Sequence, residues 1–412
     1  MSTVLTQALP PAGERNLPAA ARTSSRLDSL DAWRGLIIVL MVLDHVRDFL
    51  HVGVLAYDAT DPGTTNLVLY LTRWVTHLCA PTFIFLAGIS IRLQREKAGS
   101  VGGLSRFLLA RGPWLILLEF TVIGFGLNMG GPFFLVQVMY AIGMSMTLMA
   151  GLVRLPARAV LGLGFLLVWV APALSTATAG ATGALGVLVT MTVTPGPVPN
   201  GLGVLLYPFV PWLGVMCLGY GYGAVFQLER KRRNRIVAAT AVLLLLAFGV
   251  VRGLNGYGDP APWRHWPTLV QTVESFFNVT KYPASPAYLM VTLGLSMLLF
   301  LLLDAAGNTV RLLLTFGRTP LFTYIVHIYV VHGTQVVIGL LLGYPFISMT
   351  GYISQVAARM EGRTAPLLAA GFGLPMWGVY VVWILVIAAL FPLSRWFEGV
   401  KRRRNEWWIR FL

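Results

Sequence analysis

Asp44, His45, Arg47, Asp48 and His51 place two carboxylates, two imidazoles and a guanidinium on one short stretch of this chain. At 100° per residue on a helix, Asp44, Asp48 and His51 fall within about 60° of one another, with Arg47 beside them and His45 about 60° from Asp48. A carboxylate that orients an imidazole is what a general base needs, so His45 and His51 are candidate bases and Asp44 and Asp48 their candidate orienting groups. The plainer alternative is an ion-pair ladder of Asp44, Arg47 and Asp48, which has no need of two histidines. The preceding stretch from Trp33 to Leu43 is almost wholly apolar after Arg34. If a helix enters a bilayer there, a rise of about 1.5 Å per residue carries Asp44 roughly 15 Å deep, near the midplane of a hydrocarbon core about 30 Å thick. An ionisable group at that depth costs on the order of 2.5–3.5 kcal/mol, so the cluster must face protein or a water-filled cavity.

Other polar residues recur at similar depth. Arg73 and His77 lie at i, i+4 ahead of Cys79-Ala80-Pro81, where the proline removes a backbone donor and loosens the turn before it. Arg73 is either a counter-ion for Asp44 or Asp48 or a substrate-binding group. Glu119 is either a proton carrier or a neutral acid bonded to a neighbouring helix. Tyr324 and His327 share a helix face at i, i+3, whereas His327 and His332 point about 140° apart, so one of the two histidines faces the main cavity, and His327 is preferred. Trp263-Arg264-His265-Trp266 could stack on a sugar or sit at the membrane interface. There is no H-E-x-x-H, no Cys-x-x-Cys, no G-x-S-x-G and no Walker-type loop, so no metal site, serine hydrolase or ATPase is expected.

The elements that must position these groups are membrane helices. Of 412 residues, 56% are hydrophobic and 11% charged, a composition that marks a polytopic membrane protein. Spanning stretches fall at about 33–52, 66–92, 107–128, 132–153, 158–174, 203–227, 236–252, 285–303, 319–343 and 373–397, which makes an all-α fold of about ten transmembrane helices. The segment 183–194 is short, flanked by Gly and Pro, and reads as re-entrant or interfacial. With ten spans and both termini cytoplasmic, Arg34, Arg92, Arg95, Arg111, Arg154, Arg318 and the basic runs at 230–235 and 401–404 all fall on the inner side, as the positive-inside rule requires. The net charge of +15 therefore reads as membrane orientation, with no nucleic-acid partner. Residues 1–25 read as a disordered cytoplasmic tail, 26–400 as the membrane domain and 401–412 as a basic cytoplasmic tail. Three long outer loops, about 175–202, 253–284 and 344–372, can fold over the mouth of a cavity, which suggests a substrate that arrives from outside.

Leu27-Asp28-Ser29-Leu30-Asp31-Ala32-Trp33-Arg34-Gly35 and Leu40-Met41-Val42-Leu43-Asp44-His45, with Thr72-Arg73-Trp74, Cys79 to Gly88, Arg111-Gly112 and Gly317 to His327, resemble bacterial membrane proteins of the heparan-alpha-glucosaminide N-acetyltransferase type, a branch of the transmembrane acyltransferases. The resemblance implies transfer of an acetyl group from cytoplasmic acetyl-CoA to a sugar amine or hydroxyl at the outer face of a bacterial inner membrane. The lysosomal relative has Asn at the position of His45 and an essential histidine in its first outer loop, a loop that holds none here, so His45 stands first and His51 second. Arg34, Arg111 and Arg318 would meet the phosphates of CoA, and Arg73, His77, Tyr324 and His327 the acceptor. The acceptor is a glycan or amino sugar, and a homodimer is left open. A proton-coupled transporter or flippase is the alternative that uses the same intramembrane charges.

Overall fold

The computed structural model describes residues 19–52, 58–97, 99–129, 134–198, 203–350, 367, 370–404, 406, 409 and 411. Helices α1 (Ala19–Leu50), α2 (Leu67–Thr76), α3 (Cys79–Lys97), α4 (Val101–Leu118), α5 (Gly124–Asn128), α6 (Val138–Leu152) and α7 (Ala157–Ala177) form the first part. They are followed by α8 (Gly183–Thr192), α9 (Phe209–Tyr222), α10 (Arg230–Leu254), α11 (Leu269–Phe277), α12 (Pro286–Ala306), α13 (Arg311–Arg318), α14 (Pro320–Leu341), α15 (Phe346–Met349) and α16 (Met376–Arg403).

Among the described residues, eight helical stretches are long and apolar enough to cross a membrane, counting α2 with α3 and α4 with α5. The protein is thus an all-α polytopic membrane protein. The two other expected segments, 33–52 and 132–153, fall on α1, which carries Arg34, Asp44, Arg47 and Asp48, and on α6, which is shorter than a full span. Exposed Leu243, Leu246 and Val250 on α10, and Ile384 and Leu385 on α16, present the apolar belt such a protein shows to lipid.

Element boundaries differ from the expected segments in places. Helix α1 begins at Ala19, and residues 1–18 lie outside the described residues. The basic run at 401–403 forms the last turn of α16. Residues 134–137 and 203–208 are not helical. They supply β1 (Phe134–Val136) and β3 (Gly203–Leu205), which join β2 (Gly196–Val198) in a sheet of order β1-β3-β2, parallel between β1 and β3 and antiparallel between β2 and β3. Gly203 and Pro208 keep that stretch from helix until Phe209. Most of the expected 344–372 loop lies outside the described residues.

The interior is organised around α1. Trp33 is fully buried, and its indole N–H donates to Ser296 Oγ on α12 at 2.9 Å, which also receives the Thr82 hydroxyl of α3 at 2.7 Å. Three helices therefore share one satisfied polar node in an apolar interior. At the arginine-rich end, α1 and α13 touch backbone to backbone. A Cβ on Gly35 would lie 1.9 Å from Leu313 O, and one on Gly317 would lie 1.8 Å from Asp31 O. Only glycine permits that approach, and it sets Arg34 and Arg318 side by side.

The break between α2 and α3 follows from Pro81. Proline has no N–H, so the carbonyl of His77, four residues earlier, loses its helical donor. The Tyr288 hydroxyl takes it instead at 2.8 Å. The unwound turn at His77 and Leu78 thus lies inside the bundle, against α12.

Candidate active site

The acidic face of α1 is spent on arginines. Asp44 Oδ1 forms an ion pair with Arg47 Nη2 at 2.7 Å and accepts from Arg73 Nη1 at 2.8 Å and from Thr76 Oγ1 at 2.6 Å, and Arg73 Nη1 reaches Oδ2 at 3.1 Å. Arg47 Nη2 also meets Asp48 Oδ1 at 2.5 Å, and only 2% of the Arg47 side chain is exposed. The ladder Asp44, Arg47 and Asp48 therefore exists, and Arg73 of α2 joins it as the counter-ion of Asp44. Buried charges at this depth persist only when paired in this way.

His45 is oriented by a second histidine and not by a carboxylate. His45 Nδ1 lies 2.6 Å from His327 Nε2, with the two rings stacked at a centroid distance of 4.9 Å, and His327 Nδ1 lies 3.2 Å from Thr323 O. A carbonyl can only accept, so with neutral rings His327 carries its proton on Nδ1 and accepts at Nε2. His45 then carries its proton on Nδ1 and keeps a lone pair on Nε2. His45 is half-buried, whereas His327 is fully buried. Tyr324 stands edge-on to His327 at 5.4 Å, with its hydroxyl buried and without a partner among the described residues.

The other expected residues spread around this pair. His51 is buried at the far end of α1, where Val52 N–H donates to Leu374 O and Leu374 N–H to Leu50 O. His77 packs edge-on to Tyr288 at 5.6 Å, and its Nδ1 is buried without a partner among the described residues. His332 sits between two carbonyls, Gly126 O at 2.7 Å and Met349 O at 3.0 Å. Glu119 turns its Oε1 to the main-chain N–H of Gln137, just before α6, and so stabilises that helix start. Among the described residues, no cluster of three or more His, Cys, Asp or Glu could hold a metal ion.

Lys281 was hidden in the sequence as one more outer-loop cation. In the structure it is 7% exposed, with Nζ 5.8 Å from the ring centre of Tyr207 and 5.2 Å from that of Tyr282, and it lies within electrostatic reach of Asp44, His45 and His77. Nothing in the hydropathy pattern marks it, because an irregular loop brings it there.

Arg34, Arg111 and Arg318 gather at the opposite end. Arg34 Nη1 binds Asp31 at 2.9 Å and Gly317 O at 3.0 Å, and its Nη2 binds Ser90 Oγ at 3.1 Å. Arg318 is clasped by Asp28 at 2.6 Å and Glu398 at 3.0 Å. Arg111 lies over the Phe107 ring at 5.9 Å and within electrostatic reach of Arg34. Lys401, which donates to Arg318 O at 3.2 Å, completes the group. A separate cavity of about 410 Å³ lined by Arg92, Arg95, Glu96, Arg154 and Tyr220 adds further cations on α3 and the α6–α7 turn.

Residues 26–257, more than half of the chain, match the family model of heparan-alpha-glucosaminide N-acetyltransferase, catalytic. The match includes Asp44, His45, Arg73 and His77 and ends before Lys281, Tyr324 and His327. No curated protein matches the chain. A multi-pass helical bundle that presses paired charges and His45 into its interior, and matches this model over the helices that carry them, belongs to the heparan-alpha-glucosaminide N-acetyltransferase catalytic family, a family of membrane acetyltransferases.

Proposed function

We propose that the protein moves an acetyl group from cytoplasmic acetyl-CoA to an amine or hydroxyl of a sugar at the outer face of a bacterial inner membrane. The observation that supports this most directly is the His45–His327 contact, which leaves His45 Nε2 as an unprotonated base in a partly enclosed site. In the reaction, the acceptor nitrogen or oxygen attacks the thioester carbonyl while His45 Nε2 takes its proton. The new C–N or C–O bond forms, the C–S bond breaks, and the departing thiolate recovers the proton from His45. Enclosure by the bundle keeps water from competing for the thioester.

The donor's phosphates would dock among Arg34, Arg111, Arg318 and Lys401. From Arg34 to His45 is eleven residues along α1, about 16 Å of helix, so the arm that carries the acetyl group would run beside α1. Arg73 and His77 would face the acceptor from the broken α2–α3 turn. Ten crossings with both termini cytoplasmic are supported by the concentration of arginine at one end, a polarity under which Lys281 and α11 would lie on the outer side.

The test is acetyl-CoA turnover by detergent-purified protein supplied with amino sugars. Wild type should release CoA in step with sugar acetylation, and His45→Ala should lower the rate about 10²–10⁴-fold. Full activity in His45→Ala and in His51→Ala would move the base elsewhere. A wild type inert towards acetyl-CoA but able to carry a sugar across proteoliposomes would replace acetyl transfer with proton-coupled transport or flipping.

A further inference from the structure

We propose that Lys281 is an anion-recognition residue, and that the molecule bound from the outer side is a sugar carrying a carboxylate or phosphate. Naming that molecule the acceptor rests on the acetyltransferase reading above; the anion site itself does not.

Charge balance carries the argument. Around His45 stand two carboxylates, Asp44 and Asp48, and two guanidiniums, Arg47 and Arg73, already joined by contacts of 2.5 to 2.8 Å. Lys281 is a third cation with no carboxylate left for it. Among the described residues, its ammonium has no hydrogen-bond partner and no ion pair, and only the faces of Tyr207 and Tyr282 lie against it. The Lys281 stem is enclosed while its ammonium keeps some accessible surface, and the ring faces beside it replace only part of an ammonium's hydration. It is not the counter-ion of Asp44, whose Oδ1 is already paired with Arg47 and Arg73 and accepts from Thr76. A ligand oxyanion would supply the missing charge and hydrogen bonds together.

The position is built, not incidental. Arg252 donates to four carbonyls of the outer segment, Ala261 at 2.6 Å, Asn278 at 2.7 Å, Phe276 at 2.8 Å and Ser275 at 3.1 Å. Asp259 accepts from Thr280 N at 3.0 Å, Thr280 Oγ1 at 2.8 Å and Ser285 Oγ at 2.8 Å, fixing the residues on both sides of Lys281. An ammonium that only needed solvent would not require such a frame. Held there, it faces the cluster that contains His45, so an anion bound to Lys281 would set the rest of the sugar beside the histidine pair.

The experiment is calorimetric titration of the full-length detergent-purified protein with glucosamine, glucosamine 6-phosphate and muramic acid, an amino sugar that carries a carboxylate. Wild type should bind at least one of the two anionic sugars about 10-fold or more tighter than glucosamine, as expected for one charge-assisted contact. The phosphate and carboxylate arms identify which anion it takes. Lys281→Gln should abolish the preference and Lys281→Arg should keep most of it. A wild type that binds all three sugars alike, or a Lys281→Gln variant that retains the preference, overturns the proposal. Should Lys281→Gln fail to fold, wild type still decides: the preferred anionic sugar should lose affinity when inorganic phosphate is added, glucosamine should not, and absence of that competition also overturns it. The readout is binding, so anion preference without acetyl-CoA turnover removes the acetyltransferase reading alone, and turnover without preference removes this proposal alone.

Discussion

A histidine works as a base only if its other ring nitrogen is held in the protonated state. On the proposed mechanism His327 would do this for His45, and Thr323 O, 3.2 Å from His327 Nδ1, would do it for His327. His327→Ala frees the His45 ring to change tautomer and should lower kcat about 10- to 100-fold with little change in KM for acetyl-CoA. In His327→Gln the amide oxygen can still accept from His45 Nδ1, so most of the rate should return. Steady-state kinetics of the two variants decide the point, and equal losses would mean that His327 fills space and orients nothing. Asp44 plays another part. Asp44→Asn leaves Arg47 and Arg73 without their shared carboxylate and should destabilise the fold by about 3–5 kcal/mol, visible as a lowered unfolding temperature, whereas Asp48, partly exposed, should cost less. The sequence marked His45, His327, Asp44 and Arg73 as residues but not the His45–His327 pairing. Their helices meet across 282 positions of chain, and no local periodicity carries such a contact.

Helical elements were legible wherever an apolar run was long, and Pro81 marked the loosened turn before it, although 66–92 read as one span where the structure has α2 and α3. The strands were not, since β1 and β3 are three residues each and pair across a long separation. Nor was the α1–α13 crossing, because Gly35 and Gly317 look like any glycine in an apolar chain until their backbones are seen in contact. That crossing makes a sharp prediction. A methyl group at Gly317 would lie 1.8 Å from a main-chain oxygen, so the helices must separate. Gly317→Ala should cost about 1–3 kcal/mol of stability. By shifting Arg318 away from Arg34, it should also raise KM for acetyl-CoA more than it lowers kcat. A variant with wild-type KM would show that the two arginines act independently of the crossing.

At the scale of the molecule, chemistry is divided between two ends. Arg34, Arg111, Arg318 and Lys401 gather at one, Lys281 and the Arg252-clasped segment lie towards the other, and the histidine pair lies on α1 and α14 between them. A soluble enzyme would let both substrates enter by one mouth. On the proposed reading the bundle would separate a strongly anionic donor from a sugar too polar to cross lipid, with the arginine-rich end facing the cytoplasm. The arrangement predicts sidedness. In proteoliposomes whose protein orientation is measured by protease access to the basic end, acetyl-CoA supplied on the basic side should acetylate an amino sugar supplied on the Lys281 side. Reversing the two substrates should give no product from the same population of molecules. Product from both arrangements would mean that donor and acceptor share one entrance, and the separation of charge along α1 would then serve insertion and folding, with no part in the reaction.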